Sequence, residues 1–189
     1  MSKDWGVLVH GPSLDSLEAQ IEGFKGHLRW ATVNQWEQLQ EHILDKIGEE
    51  FELVYCVCST RLKQIKKPQC TLVTEDNANY EINSLCGLLN LLSVLGATRI
   101  YLFGCDGRAK ALDGGIQTYY REDEFRFDLA AEQPAKKWRA MEKDAKNMNL
   151  RYKPKCKVFN VNPDSAIEVF EKKTYQEAIS ECQKSDIIQ

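Results

Sequence analysis

Two short stretches of this 189-residue chain carry residue types that could do chemistry. The first is His10, Gly11, Pro12 and Ser13, which interrupts an apolar run over residues 5–9 and precedes a helical period through Leu14, Leu17, Ile21 and Phe24. A glycine turn between strand and helix presents backbone amides and the Ser13 hydroxyl, donors that can face a phosphate at a helix amino terminus. The same serine could instead cap the helix. The spacing is neither the G-x-G-x-x-G fingerprint nor a Walker loop. The second stretch is Gly104, Cys105 and Asp106, placed after the apolar run of residues 100–103. It sets a carboxylate just past the end of a strand, where open α/β sheets bind ligands. Such a group can hold Mg²⁺, orient a ribose or act as a base, and a solvated strand-end aspartate is the plain alternative.

Further candidates lie at equivalent positions. Asn34 follows a strand pattern at residues 28–33, where an amide can pair with a base or ribose or can simply make a turn. Asn83 and Ser84 open an apolar helix pattern, so their side chains can cap it, and its amides and dipole suit an anion. Tyr119 and Tyr120 could stack on a base or pack in a lid. Of the three histidines only His10, beside the Gly11 turn, could reach a site, and none has metal-ligand spacing. A cationic stretch with Lys136, Lys137, Arg139, Lys143 and Lys146 could attract phosphate, although a solvated helix face explains it as well.

The elements that must position these residues alternate strand and helix. Residues 82–106 are the organising block: a helix apolar through Leu85, Leu88, Leu89, Leu91, Leu92, Val94 and Leu95, then Gly96, then the strand before Asp106. Apolar residues around most of its circumference predict a helix covered on nearly all sides. Strands are expected at residues 5–9, 28–33, 51–57, 72–73, 99–103 and, last, 156–161. Helices are expected after Ser13, from Trp36 to Ile47, over residues 135–148, and after the capping-box spacing Thr174 to Glu177. This alternation predicts an α/β fold, a three-layer Rossmann-like sandwich with a mainly parallel sheet. We expect one domain over residues 1–189, with a lid-like insertion at about 107–134, where periodicity fails. In a parallel sheet the carboxyl ends of strands and the amino ends of helices share one rim. His10, Ser13, Asn34, Asn83, Ser84 and Asp106 all fall there, which predicts a nucleotide site.

Composition narrows the class. A formal charge of -3 gives no positive field for DNA or RNA, so nucleic acid is not an expected partner. No apolar run approaches the ~20 residues of a transmembrane helix, and the opening residues lead into a strand and not a signal sequence, so a cytoplasmic protein is expected. Seven cysteines, an odd number without a CxxC pair, read as reduced core thiols. No cofactor is assigned beyond the nucleotide itself, with Mg²⁺ possible and its ligands unknown. A homo-oligomer is equally open.

The run Val9-His10-Gly11-Pro12-Ser13-Leu14, then Val33-Asn34-Gln35-Trp36, Ile82-Asn83-Ser84, the block from Leu95 to Asp106, and Asn162-Pro163-Asp164-Ser165 occur in that order. Together they resemble the bacterial sialyltransferase-like glycosyltransferases and the related group that includes archaeal hydroxymethyl-dihydropterin pyrophosphokinases. The resemblance runs from about residue 5 to about residue 180, and only the glycine-proline-serine turn and the helix-strand-aspartate block are specific. It implies a Rossmann-like fold with a nucleotide over the carboxyl rim. The turn and Asn34 would hold the CMP part of a donor, Ser84 would lie close by, and Tyr119 and Tyr120 would steady its phosphate. The sequence departs from that pattern at His10, where asparagine is usual, and at Leu85, where glycine is usual. No histidine follows His42, so the family's histidine base is missing and a carboxylate, Asp106 or Glu122, would replace it. The expected function is a nucleotide-binding transferase using a CMP-sugar type of donor. The alternatives are an ATP-dependent pyrophosphokinase acting on a pterin-like hydroxymethyl compound, with Mg²⁺ on Asp106 and Asp113 or Asp123, and a non-catalytic nucleotide-binding member.

Overall fold

The structure is a computed structural model that describes residues 4–33, 37–55, 71–73, 84–106, 110–112, 115–117, 156–165 and 167–185. Its strands are β1 (Trp5–Leu8), β2 (Arg29–Val33), β3 (Phe51–Tyr55), β4 (Thr71–Val73), β5 (Arg99–Phe103), β6 (Lys110–Leu112), β7 (Gly115–Gln117), β8 (Lys157–Asn160) and β9 (Glu171–Lys172). Its α-helices are α1 (Leu14–Glu18), α2 (Glu37–His42), α3 (Ser84–Val94) and α4 (Tyr175–Ser185), with 3₁₀ turns at Ile21–Phe24 and Leu44–Ile47. Seven strands form one sheet in the order β4, β3, β2, β1, β5, β8, β9. Every pairing in it is parallel.

Alternate residues of each strand serve opposite faces, and both faces are apolar, as parallel sheets require. Leu8, Trp30, Val54, Tyr101, Phe103 and Phe159 pack with residues of α1, α2, α4 and both 3₁₀ turns. Trp5, Val7, Ala31, Leu53, Tyr55, Ile100 and Leu102 pack on the other face with Leu85, Leu88, Leu89 and Leu92 of α3. Two cores flank one sheet, which is the α/β Rossmann-like sandwich that the alternation predicts. Among the described residues no helix is long and apolar enough to cross a membrane.

Several local expectations change. The helix after Ser13 ends at Glu18, and Ile21–Phe24 continues as a 3₁₀ turn. Gly23 in that turn weakens a helix, and it lies so close under Ile179 of α4 that a Cβ there would meet Ile179 Cδ1 at 2.6 Å. The end of α3 is not covered: Val94 is 74% and Leu95 55% exposed, because the sheet lies under only the Leu85, Leu88 and Leu92 side of the helix. Gly96, at φ +86°, follows this end. Strand β8 is not the last, since β9 adds two further residue pairs beyond it. Within the expected lid, β6 and β7 form a separate antiparallel pair, with Leu112 opposite Gly115. The remainder of the lid and the expected helix at 135–148 lie outside the described residues.

The capping box forms as the spacing predicts. Glu177 N donates to Thr174 Oγ1 at 3.2 Å, and Thr174 N donates back to Glu177 Oε2 at 2.8 Å. Farther along α4, Glu181 accepts hydrogen bonds from Lys173 Nζ at 2.7 Å and from the Tyr101 hydroxyl at 3.1 Å. At the amino ends of β1 and β5, Arg99 pairs with the buried Asp4 and reaches the Glu181 carbonyl at 3.4 Å. This rim, opposite to the carboxyl ends, holds the sheet to α4.

Burial alone would raise the Glu181 carboxyl, but the hydrogen bond and charge of Lys173 outweigh it and hold the group below its ordinary 4.5. Glu181 therefore contributes stability that is present above pH 4.5 and is lost as pH falls through the lower folded value. Glu181→Gln should cost up to about 1 kcal/mol at neutral pH, since the pair is partly exposed. Denaturant titrations from neutral to acid pH should show the variant and the wild type converging below pH 4.5. A difference that persists or grows in acid would contradict this.

Candidate functional site

The chain runs from β1 outward to β4 on one side, then returns past β1 to build β5, β8 and β9 on the other. The direction of winding reverses between β1 and β5, and the crevice outside their carboxyl ends is the place where such sheets take ligands. Leu8 pairs with Phe103 there, and the contact continues beyond both strands: Val9 N donates to Phe103 O at 2.8 Å and Gly11 N to Gly104 O at 2.9 Å.

Two glycines allow this approach. Gly104 has φ +72°, and a Cβ on it would lie 2.4 Å from the Val9 carbonyl oxygen. A Cβ on Gly11 would meet Gly104 O at 2.3 Å and Asp106 Oδ2 at 2.5 Å. The glycine of the turn is thus required by its contact with the end of β5.

Asp106 is 6% exposed and its carboxylate gathers the rim together. Oδ2 accepts the Ser13 amide at 2.8 Å, while Oδ1 accepts the Ser13 hydroxyl and, at 2.7 Å, Asn162 Nδ2. Asn162 is held for this by accepting Asp164 N on its own Oδ1 at 3.0 Å, which fixes the orientation of its amide. Ser13 has helical dihedrals and makes no side-chain cap on α1, so its hydroxyl serves Asp106 and not the helix. Both polar hydrogens that Ser13 could offer a phosphate are engaged by a carboxylate of the same chain.

The shell around this clamp is equally specific. Buried Asn160 donates to Cys105 O at 2.8 Å, and the Ser165 hydroxyl faces Cys105 O at 2.8 Å and Asp106 O at 3.1 Å. Tyr175, the first residue of α4, donates to Ser13 O at 3.1 Å and stacks on Phe103 with ring centroids 6.1 Å apart. Burial, with the charge of Asp106 adding to it, pushes the Tyr175 phenol well above its ordinary value, so it stays a donor. The same two causes raise the Cys105 thiol, which rules it out as a nucleophile near neutral pH. Burial raises Cys156 to about 11.

Among the expected site residues, Gly11, Pro12, Ser13 and Asp106 come together. His10 is adjacent, its Nε2 3.0 Å from Val33 O at the end of β2. Ser84 is the first residue of α3. Asn34, Asn83, Tyr119 and Tyr120 lie outside the described residues, as do Asp113, Glu122 and Asp123. Asn162 and Ser165 entered the sequence analysis only through the resemblance, and Asn160 and Tyr175 were not singled out. The signal available for Asn160 and Asn162 was two amides at the end of a strand beside the one carrying Asp106. Nothing local in the sequence marks Tyr175. Among the described residues no group of three or more His, Cys, Asp or Glu side chains is arranged to hold a metal ion. Comparison with protein-family models, with curated proteins and with solved structures finds no significant match for this chain.

Asp106→Asn replaces one acceptor oxygen by a donor in a cluster that supplies only donors, and should cost about 1.5–3 kcal/mol of stability. Tyr175→Phe, which removes one neutral hydrogen bond, should cost about 1 kcal/mol. Urea titrations that rank the two in the opposite order would show that the carboxylate is not the dominant tie. Gly104→Ala should cost about 2 kcal/mol or more, since a left-handed alanine is disfavoured by ~1–2 kcal/mol before its clash with the Val9 carbonyl is counted. A neutral Gly104→Ala would place the observed contact in error.

Proposed function

We propose that this chain is a nucleotide-binding transferase whose ligand lies over the carboxyl rim, and that its donor is a nucleotide-activated sugar of the CMP type. The observation that carries the reading is the reversal of winding between β1 and β5 with the Ser13 turn and Asp106 on its two sides. Polar side chains of three neighbouring strand ends meet at this rim: Ser13 beyond β1, Asp106 beyond β5, and Asn160, Asn162 and Ser165 at and beyond the end of β8. The resemblance of the glycine-proline-serine turn to that of the sialyltransferase-like enzymes supplies the choice of donor.

In this reading Asp106 is a positioning residue. Its oxygens hold the turn through Ser13, and the turn in its fixed form receives the ligand. Rate acceleration would then come from holding donor and acceptor in line and from stabilising the departing phosphate, with no histidine base. Pyrophosphoryl transfer with Mg²⁺ on Asp106 has less support, because a metal on that carboxylate would have to displace N–H and O–H donors already bound to it. The non-catalytic reading rests on the missing histidine base, since no histidine follows His42. Cytoplasmic residence fits Cys105, Cys156 and Cys182, which are buried free thiols.

Thermal denaturation with CMP, CMP-sugars, and ATP with and without Mg²⁺ tests the proposal. A cytidine nucleotide at a hundred times its dissociation constant should stabilise the fold by ~2.7 kcal/mol, without need of metal. For a chain of this size that is a rise of roughly 5–10 °C in Tm. Incubation with CMP-sugar should then release CMP, by hydrolysis or by transfer to an added glycan acceptor. Stabilisation by ATP and Mg²⁺ alone would move the assignment to the pyrophosphokinase type, and indifference to every nucleotide would end it.

A further inference from the structure

We draw no further inference here: the strongest candidate, the fully buried amide of Asn160 at the carboxyl end of β8, whose Nδ2 donates to Cys105 O while its Oδ1 meets no hydrogen-bond donor, carries nothing because nothing in the structure shows what would donate to that oxygen.

Discussion

Everything at the carboxyl rim depends on one carboxylate receiving hydrogens from two separate pieces of chain. Asp106 stands just beyond β5, Ser13 beyond β1, and Asn162 beyond β8. These strands are neighbours, but parallel ladders only fix their middles; past the last ladder bond the three chains would be free to diverge. The charge-assisted hydrogen bonds of Asp106 extend the order outward by several residues. The geometry is possible only because Gly11 and Gly104 carry no Cβ at the crossing, so two small residues and one charged one form a single device. Leaving an N–H or O–H unpaired in a group this buried is costlier than any one bond is favourable, which makes the arrangement close to all-or-none.

The two rims of the sheet solve different problems. At the amino ends Arg99 meets Asp4, and along α4 Glu181 meets Lys173, which follows the carboxyl end of β9, so each of these charges lies beside its opposite. Such pairing is what a rim needs when it only has to hold a helix in place. At the carboxyl ends, the charge of Asp106 is met by neutral donors alone. That difference in chemistry distinguishes the two ends of this sandwich.

The fold was legible because its signals are redundant. Both faces of the sheet read as apolar runs, the turns fall at glycines, and Thr174 and Glu177 announce α4 through a spacing with one physical meaning. Boundaries were less legible where a tertiary contact overrides local preference. Gly23 lies against Ile179, 156 positions later, inside the 3₁₀ turn that stands where the apolar period would have continued the helix. The apolar tail of α3 misled in the opposite sense, because Val94 and Leu95 follow the helical pattern beyond the edge of the sheet beneath. For the site, the sequence identified Ser13 and Asp106 as sharing a rim but could not show that they bind each other. A strand-end aspartate and a turn serine look the same in sequence whether they face water, a ligand or one another. Tyr175 was invisible for a related reason: a tyrosine at the first position of a helix carries no mark of a bond to residue 13.

Tyr175 also explains why the turn is better regarded as rigid than as a switch. Its ring lies on Phe103, which is itself met edge-on by Phe24 at 5.0 Å and at a tilt by Trp30 at 5.8 Å, and its hydroxyl holds the Ser13 carbonyl. The helix it begins is fastened at its other end by Glu181 to Tyr101 and Lys173. Moving Ser13 would therefore require α4 to shift against the sheet or Tyr175 to leave an aromatic stack, and neither has an alternative packing among the described residues. The Ser13 turn is thus tied on two sides, to the end of β5 through Asp106 and to the start of α4 through Tyr175.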